Sequence, residues 1–127
     1  MAYSRKKSRE IVFRMLFAQG KDLELACGGE DLPTGPELDY INHVYDVTME
    51  NLETIDKIIS EHSHGFTMDR IFKTDLTALR MGIAEIKYTD VENQVAVNEA
   101  IEIAKKYGTE KSGVFVNGIL AQVITGV

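Results

Sequence analysis

The residues best suited to chemistry stand at the start of the chain. Between Ser4 and Arg14 the bases Arg5, Lys6, Lys7, Arg9 and Arg14 face one acid, Glu10, so the segment carries +4 while the whole chain carries -6. The remainder is therefore -10. A basic end on an acidic body marks a localised anion site rather than a surface that would follow a long phosphate backbone. Arginine adds specific geometry, because its planar fork can hold one phosphate through two bonds. Phe13 and Phe17 follow Arg9 by four and eight residues, which puts the three near one helical stripe. An aromatic ring beside a guanidinium is a stacking surface for an unpaired base. The same spacing also suits a solvated tail with both phenylalanines in the core.

Other constellations are weaker. His62 and His64 are closely spaced, but a zinc site needs two further ligands, and only His43 and Cys27 remain to supply them. A helix terminus at the surface explains the pair better, and no metal or other cofactor is expected. There is no glycine-rich phosphate loop, nucleophile elbow or zinc-hydrolase motif. The carboxylates are spread over helix surfaces, so the sequence does not read as an enzyme. Arg80 sits at the edge of an apolar face and needs an anionic partner, for which Glu99 is the candidate. Asn98 and Asn117 read as internal hydrogen-bonding groups.

These residues must be carried by helices. The chain has 127 residues, 44% of them hydrophobic, enough for one domain with its own core. A helix is expected over Ser4–Gln19, closed at Gly20, followed by a loop over Lys21–Pro36 with a helical turn around Leu23, Leu25 and Ala26. The apolar positions from Leu38 to Ile59 predict a long helix over Glu37–Ser60, or two helices if it breaks. Thr67 is a candidate cap for a short segment. Thr74 or Asp75 opens a strongly apolar helix, and Val95–Tyr107 forms another, with Gly108 as its left-handed stop. Ser112 reads as the N-cap of a last helix through about Ile124, with Val114, Phe115, Ile119, Leu120 and Val123 inside. Asn117-Gly118 is a hairpin signal, overridden here by the four-residue spacing of Phe115, Ile119 and Val123. One cysteine, Cys27, excludes an internal disulfide and suits a reducing compartment. With no apolar run near 18 residues and no secretory-type start, the expected location is cytoplasmic, with no membrane association.

Three segments together resemble one family. They are Arg5-Lys6-Lys7-Ser8-Arg9-Glu10 with Met15-Leu16-Phe17; Asp75-Leu76-Thr77-Ala78-Leu79-Arg80 with Ala84-Glu85-Ile86; and Val97-Asn98-Glu99-Ala100-Ile101-Glu102-Ile103-Ala104-Lys105-Lys106-Tyr107-Gly108, followed by Ser112 and Phe115-Val116-Asn117-Gly118-Ile119-Leu120. In order and spacing they resemble the NusB family of transcription antitermination factors, over nearly the whole chain and least from Lys21 to Ser60. The resemblance implies an all-α fold of about seven helices in two packed helical subdomains, about 1–65 and 66–127. It implies binding of boxA-type single-stranded RNA together with the small-subunit ribosomal protein NusE, within an RNA polymerase antitermination complex that reads through terminators, notably in rRNA operons. Carried residue by residue, it assigns RNA contact to Arg5, Lys6, Lys7, Arg9, Phe17 and Phe115, and partner contact to Asp75. Lys111 stands where family members can carry an acid. A base there favours phosphate, so Lys111 joins the RNA residues and implies binding that depends less on the partner. The alternative is a helical protein–protein interaction module without sequence-specific RNA binding, since one fold serves several functions. Apolar residues of the first helix can serve the core or a dimer contact, which leaves a homodimer open.

Overall fold

A computed structural model describes residues 3–65 and 67–126. Its described residues form seven α-helices and one 3-10 turn, with no strand: α1 Arg5–Ala18, α2 Leu23–Cys27, α3 Gly35–Glu50, α4 Leu52–His62, the turn Met68–Arg70, α5 Lys73–Tyr88, α6 Asn93–Tyr107 and α7 Ser112–Thr125. The all-helical expectation holds, and Asn117-Gly118 lies within α7.

Local chemistry sets most boundaries. Ser4 caps α1 by accepting from the Lys7 amide at 3.0 Å. The helix closes one residue earlier than Gly20, on Gln19 in the left-handed region at φ 54°. The Gln19 and Gly20 amides return to the Leu16 and Met15 carbonyls. Asp22 caps α2 in the same manner as Ser4 caps α1, accepting from Leu25 N at 3.1 Å.

The long apolar pattern of the middle region divides at Asn51. Its backbone amide and its side-chain Nδ2 both donate to the Val47 carbonyl, at 3.2 and 2.8 Å. A side chain that competes in this way for helical acceptors ends α3, and α4 starts at the next residue.

Two sequence expectations at the α6–α7 corner are corrected. Gly108 has φ -101° and does not supply a left-handed stop. It is needed for space: a Cβ there would lie 2.3 Å from Ser112 Oγ, 2.7 Å from the Ala104 carbonyl and 2.9 Å from Asp75 Oδ1. Ser112 is the first residue of α7 and does not cap it. Its hydroxyl turns back and accepts from Thr109 N at 2.8 Å, tightening the corner.

α5 is the axis of the fold. Ala78, Leu79, Met81, Ile83 and Ala84 have no exposed surface, and the helix packs against α1, α3, α4, α6 and α7. Gly82 lets α7 and α6 approach closely, since a Cβ there would meet Leu120 Cδ1 at 3.0 Å and Ala100 Cβ at 3.1 Å. Val114, expected inside, is 79% exposed. Asn98 and Asn117, expected inside, are exposed as well.

A buried ionic network ties α1 to this axis. Arg9, only 5% exposed, donates from Nε to Glu85 Oε1 at 3.0 Å, and Tyr40 OH donates to Glu85 Oε2 at 2.7 Å. Glu99 lies 3.9 Å from Arg9 Nη1. Burial pulls the Arg9 guanidinium down, but the hydrogen bond and charge of Glu85 outweigh it and leave it above its ordinary value. Burial, and then the charge of Glu85, raise the Tyr40 hydroxyl well above the usual tyrosine range. Glu99 is thus taken by Arg9. The partner of Arg80 is Asp56 on α4, in a two-bond clasp with both distances 2.8 Å, which replaces the expected Arg80–Glu99 pair.

Candidate nucleic-acid interface

The basic arm does not project as a uniform cationic tail. Because a helix repeats every 3.6 residues, successive turns of α1 distribute its charges to different sides. Arg9 and Phe13 face inward, with Phe13 2% exposed and stacked on Tyr107 at 4.7 Å. The family resemblance gives Arg9 an RNA contact. In the structure its guanidinium is buried and hydrogen-bonded to Glu85. The stripe of Arg9, Phe13 and Phe17 is therefore an inward stripe whose last member alone reaches the surface.

The other arm residues remain accessible, with different degrees of freedom. Arg5 is exposed but clasped by Glu37 at 2.9 and 3.1 Å, and its guanidinium lies 4.0 Å above the Tyr40 ring. That hydrogen bond holds the Glu37 carboxyl below the usual carboxylate range despite partial burial. Lys7 is half-buried, pairs with Glu30 and sits over the Tyr3 ring. Lys6 is exposed and has no charged partner among the described residues.

Further along α1 the outward stripe runs Lys7, Glu10, Arg14, Phe17. Phe17 is half-buried, stands 6.2 Å from Phe13 in a stacked arrangement, and carries the Lys73 ammonium 4.4 Å above its ring. Lys73 is the first residue of α5 and follows Phe72, which is 61% exposed. Phe72 opens into a cleft of about 580 Å³ between the start of α5 and the start of α7, with Arg70, Asp75, Lys111, Val114 and Phe115 among its walls. Lys111 is exposed at the α6–α7 corner, and Phe115 is half-buried one turn into α7. The structure thus brings Lys111 and Phe115 together with Asp75 in one cleft, while Phe17 lies outside that lining and touches Lys73, the chain neighbour of Phe72.

The resemblance puts Asp75 on the partner face. It is 5% exposed and lies in the cleft rather than on the acidic outer surface. It is the third residue of α5, where the helix dipole favours an anion. Its Oδ1 has no hydrogen-bond partner among the described residues. The groups that sequence reasoning missed are Phe72, Lys73 and Arg70. An aromatic and two bases just ahead of an apolar helix were visible as residue types, but nothing local linked them to Phe17, 55 positions away from Phe72.

The described residues thus form an all-helical domain with a basic start to its first helix, an aromatic-lined cleft and an excess of acids elsewhere in the chain. Comparison with known proteins gives the kinship. The family model described as the NusB family matches residues 6–125. The transcription antitermination protein NusB of Agathobacter rectalis is 38% identical, over 94% of this chain and 98% of that protein. Among solved structures, T. maritima NusB superposes with a TM-score of 0.86 at 31% identity, covering 98% of this chain and 93% of that one. A chain in the crystal structure of the antitermination factors NusB and NusE in complex with double-stranded RNA superposes with a TM-score of 0.77 at 25% identity, covering 97% and 94%. The chain belongs to the NusB family.

No helix among the described residues is long and apolar enough to cross a membrane, and no cluster of three or more candidate metal ligands occurs among them.

Proposed function

We propose that this protein is an RNA-binding antitermination factor that holds boxA-type single-stranded RNA together with NusE and supports read-through by RNA polymerase, notably in rRNA operons. It acts in the cytoplasm by binding, without catalysis of its own. The observation that carries this reading is the pair of cation-bearing surface hollows, one beside α1 lined by Lys6 and Lys7 and one lined by Lys111 and Phe115, in a chain whose charge is otherwise strongly negative. Cations position phosphates, and aromatic side chains at a surface can stack bases. The acidic body suits a basic ribosomal protein, and the family relative captured with NusE and RNA supports both partners.

Asp75 fits a role at the junction. A buried acceptor without a donor costs about 1–3 kcal/mol, and a donor from a bound partner would offset that cost. A gel-shift series over salt tests the reading with boxA and scrambled RNA, with and without NusE. The expected result is tighter binding of boxA, enhanced by NusE, with a shallow salt slope reflecting about three to five neutralised phosphates. Equal affinity for both RNAs would sink it. The exposed Phe72 and Val114 also suit a protein partner alone. NusE capture that RNA neither strengthens nor competes with would favour that interaction module instead.

A further inference from the structure

Between α1, α2 and the end of α6 lies a second groove, about 540 Å³ in volume. Four bases, Lys6, Lys7, Arg14 and Lys106, line it against two acids, Glu10 and Glu30. In a chain of net charge -6 such a local excess of cations is an anion site in waiting. We infer that this groove is a phosphate-binding segment of the RNA path, in which Arg14 and Lys106 join the basic arm to the aromatic cleft. The inference rests on the proposed RNA function and extends it to residues that the family resemblance does not assign.

The geometry supports a fixed site rather than loose surface charge. Arg14 is held from both ends of its fork: Nη1 donates to the Ala26 carbonyl at 2.9 Å and Nη2 to the Tyr107 hydroxyl at 3.1 Å. A guanidinium has five N–H donors, so most remain for a ligand, and its side chain is 42% exposed. Lys106 donates to Glu10 Oε1 at 2.6 Å, and Tyr107 OH donates to the same oxygen at 2.7 Å. One carboxylate thus organises two cations and a hydroxyl, and the cluster keeps a net positive charge. A preorganised donor set loses less freedom when it binds.

The groove also lies on the right line. Arg14 stands between Lys7 and Phe17 on the outward stripe of α1, and those two are ten residues apart, or about 15 Å along the axis. A strand whose base stacks at Phe17 would pass its backbone over Arg14 on the way to Lys6 and Lys7. Glu30 occupies Lys7 in the free protein, so a phosphate entering the groove must displace a carboxylate of like charge.

The test is fluorescence anisotropy with boxA-type and scrambled RNA, over a salt series, on the full chain with NusE. Arg14→Gln combined with Lys106→Gln should weaken both RNAs by the same factor, about tenfold or more. The log–log salt slope should fall by about 1.4, about 0.7 for each single-strand phosphate that is no longer neutralised. Glu30→Gln should change affinity in the opposite direction, tightening binding a few-fold at low salt. RNA shortened until it reaches only the cleft should bind wild type and the double variant equally. Unchanged affinity and slope in the double variant, while wild type still prefers boxA, would overturn the groove and leave the proposed function standing. A weakening confined to boxA would also overturn it, because a phosphate contact carries no sequence preference. Failure of the wild type to bind either RNA would overturn both.

Discussion

The two sides of α1 show what helical phase can do to the same side chain type. Arg9 faces inward, is 5% exposed, and joins α1, α3 and α5 through Glu85 and Tyr40. Arg14 and Lys6 face outward, where the first is braced by a carbonyl and a hydroxyl and the second has no charged partner among the described residues. The inward cation is structural because its partner is a fully buried carboxylate that would otherwise be uncompensated. The outward cations stay exposed even where they are paired: the Arg14 side chain is 42% exposed although Glu10 Oε1 lies 3.9 Å away, and Lys6 is exposed. Charge at the start of this helix thus serves two tasks, separated by direction alone.

The strongest way to break that contrast is Arg9→Ala. It strands Glu85 in the core without its cation, and removing one partner of a buried pair costs about 3–5 kcal/mol. Urea unfolding should show the effect as a lower midpoint with little change in slope. An unaltered midpoint would mean that the inward side of α1 is no more structural than the outward one.

Phe17→Ala tests the outward side. Removal of one stacking ring should cost about 1–3 kcal/mol of RNA affinity, with a smaller effect on unfolding than Arg9→Ala because Phe17 is only half-buried. Anisotropy and urea titration on the same preparation separate the two quantities. If the order reversed, with stability falling more than affinity, Phe17 would belong with the core.

Lys111→Asp sharpens the contrast at the far edge of the cleft. Replacing a base with an acid next to a phosphate path should weaken boxA binding several-fold and make it depend more on NusE. Equal or tighter binding by the variant would contradict the role of Lys111.

The smallest expected effect is a pH dependence. Burial raises the Glu10 carboxyl, but hydrogen bonds from Lys106 and Tyr107 and the charge of Arg14 outweigh it and hold it below the ordinary range. The Arg5 hydrogen bond does the same for Glu37. A carboxyl depressed in the folded state contributes stability that is present above its unfolded pKa and lost as pH falls through its folded one. Stability should therefore decline in the acid range below about pH 4, and Glu10→Gln should flatten part of that decline. Both sites are partly exposed, so the change is small and fades with salt.

Much of this fold was legible in the sequence because its signals are local. The apolar spacing of α1, α5, α6 and α7 needs only one turn of helix to be read, whereas the cap expected at Ser112 turned out to brace the corner before α7 instead. The direction of Arg9 was not legible. Four of the five residues from Arg5 to Arg9 are basic, so the stretch offers no contrast from which to read a phase, and the partner that decides it is 76 positions away. Arg80 was misassigned for the same reason. Its need for an anion was plain, but Asp56 and Glu99 were both within plausible reach, and only packing brings Asp56 to 2.8 Å. Gly108 shows a subtler limit. Its place after a helix suggested a left-handed stop, whereas the requirement comes from Ser112 and Asp75 crowding the position of a Cβ. In the candidate site, the arm and the aromatic positions could be named from sequence, but the contact of Lys73 with Phe17 depends on how α5 packs against α1.

The most direct test of the division of α1 is to map boxA RNA onto the protein by amide and side-chain NMR during a titration, with scrambled RNA as the reference. The expected result is that boxA shifts the resonances of Lys6, Arg14, Phe17, Lys111 and Phe115, while Arg9, Tyr40 and Glu85 in the core and the Asp56–Arg80 clasp stay in place. Shifts centred on α4 and Arg80, or identical shifts with scrambled RNA, would contradict it.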